Sequence, residues 1–223
     1  MKITEVQVFP VHQFVYVKIE TDQGIYGIGE ASLSGRSLAV VEALGHIKPL
    51  LIAQDPTRIE HIWQDIFRGT FWRGGPVLQS ALAGIDIALW DLAGKSLGVP
   101  TYRLLGGATR QKVLVYRHVG GKTPADLIEH AQKLLDEGWR VLRISPIDTL
   151  TDGFNSKLAV LRGIEHFSAL REAVGDEVEI IFEVHTRLTP TRAIELCKAI
   201  EDLRPFFVED PIRSENPGSF AIL

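Results

Sequence analysis

From Val113 onward the chain alternates short apolar runs with amphipathic stretches, and no other feature of the sequence limits the fold so strongly. Val113 to Val119, Val141 to Ser145, Val178 to Val184 and Phe206 to Glu209 read as strands. Pro124 to Leu135, Lys157 to Val174 and Thr191 to Leu203 carry the three-to-four spacing of helices. Strand and helix in strict alternation imply βαβ units around a parallel sheet. Runs that are apolar almost throughout are expected where both faces of a strand are covered.

The first part of the chain has a different pattern. Ile3 to Val8, Phe14 to Glu20 and Ile25 to Gly29 read as strands, the last two joined by the turn Thr21-Asp-Gln-Gly24. Between Ser37 and about Gln79 the period becomes helical, and Asp55-Pro-Thr57 marks one helix start. Ser80 to Lys95 is a helix of apolar and small residues closed by Gly98-Val-Pro100. The predicted organisation is therefore an α+β domain over 1–110 followed by an α/β domain over 111–223. An eight-stranded β/α barrel needs about 250 residues, and only four strands precede Leu223. The second domain is either a small open sheet or the first half of a barrel, truncated after about four strands. Ser214 to Phe220 reads as the loop and first turn of one more helix, cut short.

With 45% hydrophobic and 23% charged residues, the 223-residue chain can bury a real core. A net charge of −4 gives neither nucleic acid nor an anionic membrane an electrostatic footprint, so neither partner is expected. No run approaching the ~18 apolar residues of a membrane span is expected, and a cytoplasmic protein is the default. Cys197 is the single cysteine and is read as a packing residue inside a helix.

The chemistry gathers at the ends of the last two strands. Ile180-Ile-Phe-Glu-Val-His-Thr-Arg187 and Pro205-Phe-Phe-Val-Glu-Asp-Pro211 both run from apolar residues into carboxylates. The period of two in a strand puts Glu183 and His185 on one face, and Glu209 ends the next strand in the same way. Two carboxylates and a histidine at one end of a parallel sheet suit a hard cation with a proton donor beside it.

Ser80-Ala-Leu-Ala-Gly-Ile-Asp-Ile-Ala-Leu-Trp-Asp-Leu-Ala-Gly-Lys-Ser-Leu-Gly-Val-Pro100 followed by Tyr102-Arg-Leu-Leu-Gly-Gly107 resembles the signature of the mandelate racemase branch of the enolase superfamily. More narrowly, the chain resembles the mannonate- and galactonate-type sugar-acid dehydratases over nearly all its length. The resemblance implies an α+β capping domain and a β/α barrel, with Phe14 to Glu30 and Trp72-Arg-Gly-Gly-Pro76 in the cap. It implies Mg²⁺ held by Glu183 and Glu209, with a third ligand on a later strand, and His185 as general acid on the departing hydroxyl. Arg143 would neutralise the substrate carboxylate or assist the base, while Arg187, Trp72 and Arg73 would touch substrate. The implied reaction removes water from an aldonic acid through an enediolate to give a 2-keto-3-deoxy acid, in a homo-oligomer.

Several positions depart from the family's pattern. Glu183 stands where Asp is more usual, and Ser145 stands where a racemase-type lysine would be, which disfavours a racemase or epimerase. The loop from Pro146 to Asn155 offers Phe154 instead of the tyrosine of mannonate dehydratases. Structural readings stay open beside these roles: Arg143 paired with Asp148 or Asp152, His185 as a hydrogen-bonded strand-end residue, Arg187 as a solvated or ion-paired side chain, Asp210 as the start of a loop, and Asp86 and Asp91 as helix structure. The remaining histidines lack metal-ligand spacing, His118 being the least safe exclusion. A different class of function also stays open, a noncatalytic half-barrel that needs a partner chain.

Overall fold

A computed structural model describes residues 1–147 and 153–223. The chain divides into two compact units, Met1–Gln111 and Lys112–Leu223.

In the first unit β1 (Ile3–Val11), β2 (Phe14–Thr21) and β3 (Tyr26–Glu30) form an antiparallel sheet in that order. Strand β2 alternates as its sequence requires, with Val15, Val17, Ile19 and Thr21 turned inward. Helices α1 (Ser37–Leu51), α2 (Ile59–Arg68), α3 (Pro76–Leu97) and the single turn α4 (Thr101–Leu104) follow. The long helix α3 begins at Pro76, earlier than the sequence reading placed it, because proline is at home in a first helical turn. It ends where Gly98 adopts a left-handed conformation (φ 66°) and its N–H reaches the Gly94 and Lys95 carbonyls. Strand β3 lies directly on this helix. A Cβ on Gly27 would sit 1.9 Å from the Ala88 carbonyl oxygen, and one on Gly29 would sit 2.0 Å from that of Gly84. Only glycine permits that approach.

Two expectations change here. Asp55-Pro-Thr57 forms a turn ahead of α2 instead of its first turn. The Asp55 Oδ1 accepts from the Thr57 N–H and hydroxyl at 3.0 and 2.8 Å, which holds its carboxyl below the usual range. Helix α3 is also long and apolar enough to cross a membrane by length and composition, alone among the described helices. Its apolar residues Leu82, Ile85, Leu89 and Leu92 are buried within the unit. Asp91, read as structural, accepts from the Ile28 N–H at 2.8 Å and Lys95 Nζ at 2.6 Å. Asp86 is half-buried, and burial, aided by nearby Glu60, pushes its carboxyl above the ordinary value.

The second unit runs β4 (Arg117–Val119), α5 (Pro124–Asp136), β5 (Val141–Ile144), α6 (Ser156–Val174), β6 (Glu179–Glu183), α7 (Pro190–Ile200) and β7 (Phe207–Glu209), with short 3-10 turns at Glu201–Leu203 and Pro217–Ile222. The four strands are parallel in chain order. Alternate residues Leu142, Ile144, Ile180 and Phe182 join the core formed with α5, α6 and α7. The intervening positions, His118, Arg143, Ile181, Glu183, Phe207 and Glu209, share the opposite face. Strand β4 is shorter than its apolar run, and Val113, Leu114 and Val115 are exposed ahead of it. Cys197 is half-buried on α7, where burial pushes its thiol up.

Candidate active site

Parallel register brings the predicted residues together. Glu183 and Glu209 are direct partners at the ends of β6 and β7, and Arg143 on β5 is paired with His118 on β4. From its position one row below, the long Arg143 side chain reaches up to both carboxylates. Its Nε donates to Glu209 Oε2 at 2.7 Å, and its Nη2 donates to Glu183 Oε2. Its Nη1 donates to His118 Nδ1 at 3.1 Å, since a guanidinium has no acceptor to offer. The Tyr116 ring lies 5.8 Å from the guanidinium carbon. Glu183 is only 1% exposed, so this is a buried charge pair whose desolvation is offset only while both partners remain.

His185 arrives by a route other than the expected strand alternation. Strand β6 ends at Glu183, and both His185 (φ 50°) and Thr186 (φ 58°) are left-handed, as is Asp210 (φ 46°) after β7. Non-glycine residues rarely hold that conformation, and such strain gathers at functional sites. The turn is fixed by the His185 N–H donating to Glu183 Oε1 at 2.6 Å and by the Thr186 N–H donating to the Asp210 carbonyl at 2.8 Å. The ring Nε2 then lies 3.4 Å from Glu183 Oε2 and 3.3 Å from Arg143 Nη2. One nitrogen serves both: with its proton it donates to Glu183, and without it it accepts from Arg143.

At the same strand ends a hollow of about 560 Å³ is lined by Tyr116, His118, Gly120, Gly121, Arg143, Ser145, Pro146, His166 and His185, among others. Sequence reasoning set His118 and His166 aside. The position of His118 near the end of an apolar strand was the available signal, whereas nothing local marks His166. Arg187 borders another hollow, with Thr189, Arg213 and Asn216. Trp72, 79% exposed, and Arg73 line a hollow of the first unit with His46, Phe67 and Leu78. Asp148 and Asp152, the alternative partners of Arg143, lie outside the described residues.

Glu183 and Glu209 offer oxygen ligands from neighbouring strands in one register, and Mg²⁺ is commonly held by one or two carboxylates with water completing its shell. The pair fits such an ion. Among the described residues no group of three His, Cys, Asp or Glu side chains could hold a metal by itself.

Residues 3–106 match the family model described as the mandelate racemase/muconate lactonizing enzyme N-terminal domain. Residues 126–223 match the enolase C-terminal domain-like model. The chain is 38% identical over 250 residues to a D-galactonate dehydratase family member, RspA, of Cellvibrio japonicus, covering 100% of this chain and 62% of that protein. It is 39% identical over 250 residues to a D-mannonate dehydratase of Caulobacter sp. strain K31, with the same coverage. A crystal structure of an enolase from Pantoea ananatis with bound D-gluconate and Mg superposes with a TM-score of 0.90 at 33% identity, covering 99% of this chain and 62% of that one. The chain thus spans about three fifths of the length of these relatives.

Proposed function

The chain belongs to the mandelate racemase/muconate lactonizing enzyme family of the enolase superfamily, and from that premise we propose that it acts in the Mg²⁺-dependent dehydration of an aldonic acid to a 2-keto-3-deoxy acid. The observation that carries this reading is the in-register pair Glu183 and Glu209, gathered around Arg143 with His185 beside it. In this reading 1–110 is the capping domain and 111–223 contributes strands to the barrel.

Glu183 and Glu209 would hold the cation. When bound, the ion supplies Lewis-acid stabilisation of the charge that develops on the substrate carboxylate. Arg143 adds a fixed positive charge on the same face and binds that carboxylate. His185, whose Nε2 lies 3.4 Å from Glu183 Oε2, would deliver a proton to the departing β-hydroxyl, which leaves poorly as hydroxide. Ser145 is too weak a base at neutral pH for a racemase-type proton abstraction. Arg187, Trp72 and Arg73 enter as substrate-binding residues on the strength of the family likeness, as do the homo-oligomeric state and the cytoplasmic location.

The test is an assay of the protein, as its gene encodes it, against a panel of aldonic acids with 2-keto acid detection. Turnover is expected with Mg²⁺, with H185N lowering kcat by about 10²–10⁴ and E183Q abolishing it. Failure to dehydrate any aldonic acid would overturn the reading.

A further inference from the structure

His166 is a buried imidazole for which the chemistry above has no use. It sits in the middle of α6 at 3% exposure and is among the residues lining the hollow that also holds Arg143, His118 and His185. Its Nδ1 lies 2.9 Å from the Arg162 carbonyl oxygen one turn back. A carbonyl only accepts, so Nδ1 donates, and in that tautomer the acceptor lone pair is at Nε2. No other hydrogen bond to this ring is found among the described residues. A buried acceptor without a donor is costly, and a donor entering the hollow that His166 lines would satisfy it.

The wall that carries His166 is well fixed. Arg162 Nη2 donates to the Lys122 carbonyl at 2.9 Å, tying α6 to the loop after β4. In that loop Gly121 lies so close to α5 that a Cβ would approach Leu127 N to 2.4 Å. Gly121, which also lines the hollow, therefore adds no side chain to it. The cationic and acidic groups come from the strand ends, at the reacting centre, whereas His166 comes from a helix wall. A lone pair there selects a hydroxyl and repels a carboxylate.

We propose that His166 is a specificity-determining residue whose Nε2 accepts a hydrogen bond from one hydroxyl of the substrate's polyol tail. The proposal rests on the sugar-acid reading of the site. It is tested in the protein as its gene encodes it, with H166L, H166N and H166Q assayed on the aldonic acid that the wild type dehydrates best. Asparagine can keep the bond to Arg162 but not the distal acceptor, whereas glutamine places an amide oxygen near Nε2. H166L and H166N are expected to raise KM about tenfold, the worth of one hydrogen bond, with kcat within about threefold of wild type. H166Q is expected to recover most of the loss. Against the matching deoxy acid that lacks the bonded hydroxyl, wild type and H166L should not differ.

An unchanged KM in H166L, or equal losses in H166N and H166Q, would overturn the proposal and leave His166 as a packing residue or a partner of water. If H166L does not fold, the H166N and H166Q pair decides on the same terms. A wild type that neither turns over nor binds any aldonic acid by calorimetry overturns the sugar-acid reading and this proposal together. A wild type that turns over normally beside an indifferent H166L overturns this proposal alone.

Discussion

Among the described residues, the core of the first unit buries one polar side chain, Thr21, while the second buries Arg143, His166, Arg171 and Glu183. Thr21 is a turn device, its hydroxyl donating to the Ile25 carbonyl at 2.7 Å across the β2–β3 reversal. Arg171 is also structural. Its guanidinium donates only to main-chain carbonyls, those of Leu203, Gly175, Val178 and Arg204 at 2.7–2.9 Å, and so ties the end of α6 to the starts of β6 and β7. Arg143 differs in that all its partners are side chains, at the opposite ends of the strands. Burial of charge alone does not mark a site. A buried charge whose partners are themselves titratable, beside left-handed residues, does so far better.

The largest way to break this contrast is Glu183→Leu, which takes from the buried Arg143 its one fully buried carboxylate partner. A loss of about 3–5 kcal/mol is expected in urea melts followed through Trp139, and the double variant Arg143→Met/Glu183→Leu should recover most of it. A double variant as costly as the sum of the two singles would mean that the pair is not coupled. Next is Gly29→Ala in the first unit, where a methyl would strike the Gly84 carbonyl. It should cost about 3 kcal/mol, read through Trp90, and an unchanged midpoint would contradict the close approach of β3 and α3.

Arg171→Met sharpens the comparison. It leaves four carbonyls short of a donor and should cost about 2 kcal/mol while leaving divalent-cation affinity unchanged, whereas Arg143→Met should alter that affinity. The smallest effect is Thr123→Ala, which opens the capping box of α5 and should cost about 1 kcal/mol. The Thr123 hydroxyl and N–H hold the Asp126 carboxyl below its ordinary value. A depressed carboxyl stabilises fully above its unfolded pKa and loses that contribution as pH falls through the folded one. Thr123→Ala should therefore flatten the acid side of the stability profile below about pH 4, and an unaltered acid limb would contradict the box.

Periodicity exposed most of the fold, because β5, β6 and the helices α5, α6 and α7 are each held by local pattern plus one covered face. It overran at Val113 to Tyr116, where apolar composition suggested strand but no neighbour supplies a ladder. It read the strands as covered on both faces, which holds for β5 and β6, whereas Arg117 and His118 on β4 and Phe207 on β7 are exposed. At the site, Glu183 and Glu209 were legible as carboxylates ending successive strands. The arginine that joins them was legible only through family likeness, since its partners are distant in sequence. His118 needed the β4–β5 register, and His166 needed the packing of α6, neither of which a single sequence displays.

In the proposed function Glu183 and Glu209 form a cation site, and Arg143 does not merely neutralise them. Titration of Mn²⁺ into the protein as its gene encodes it, followed by electron paramagnetic resonance and competed with Mg²⁺, tests this most directly. One saturable site is expected, displaced by Mg²⁺ and lost in both E183Q and E209Q. Absence of a saturable site, or a site indifferent to both substitutions, would contradict it and make the cluster a buried salt bridge.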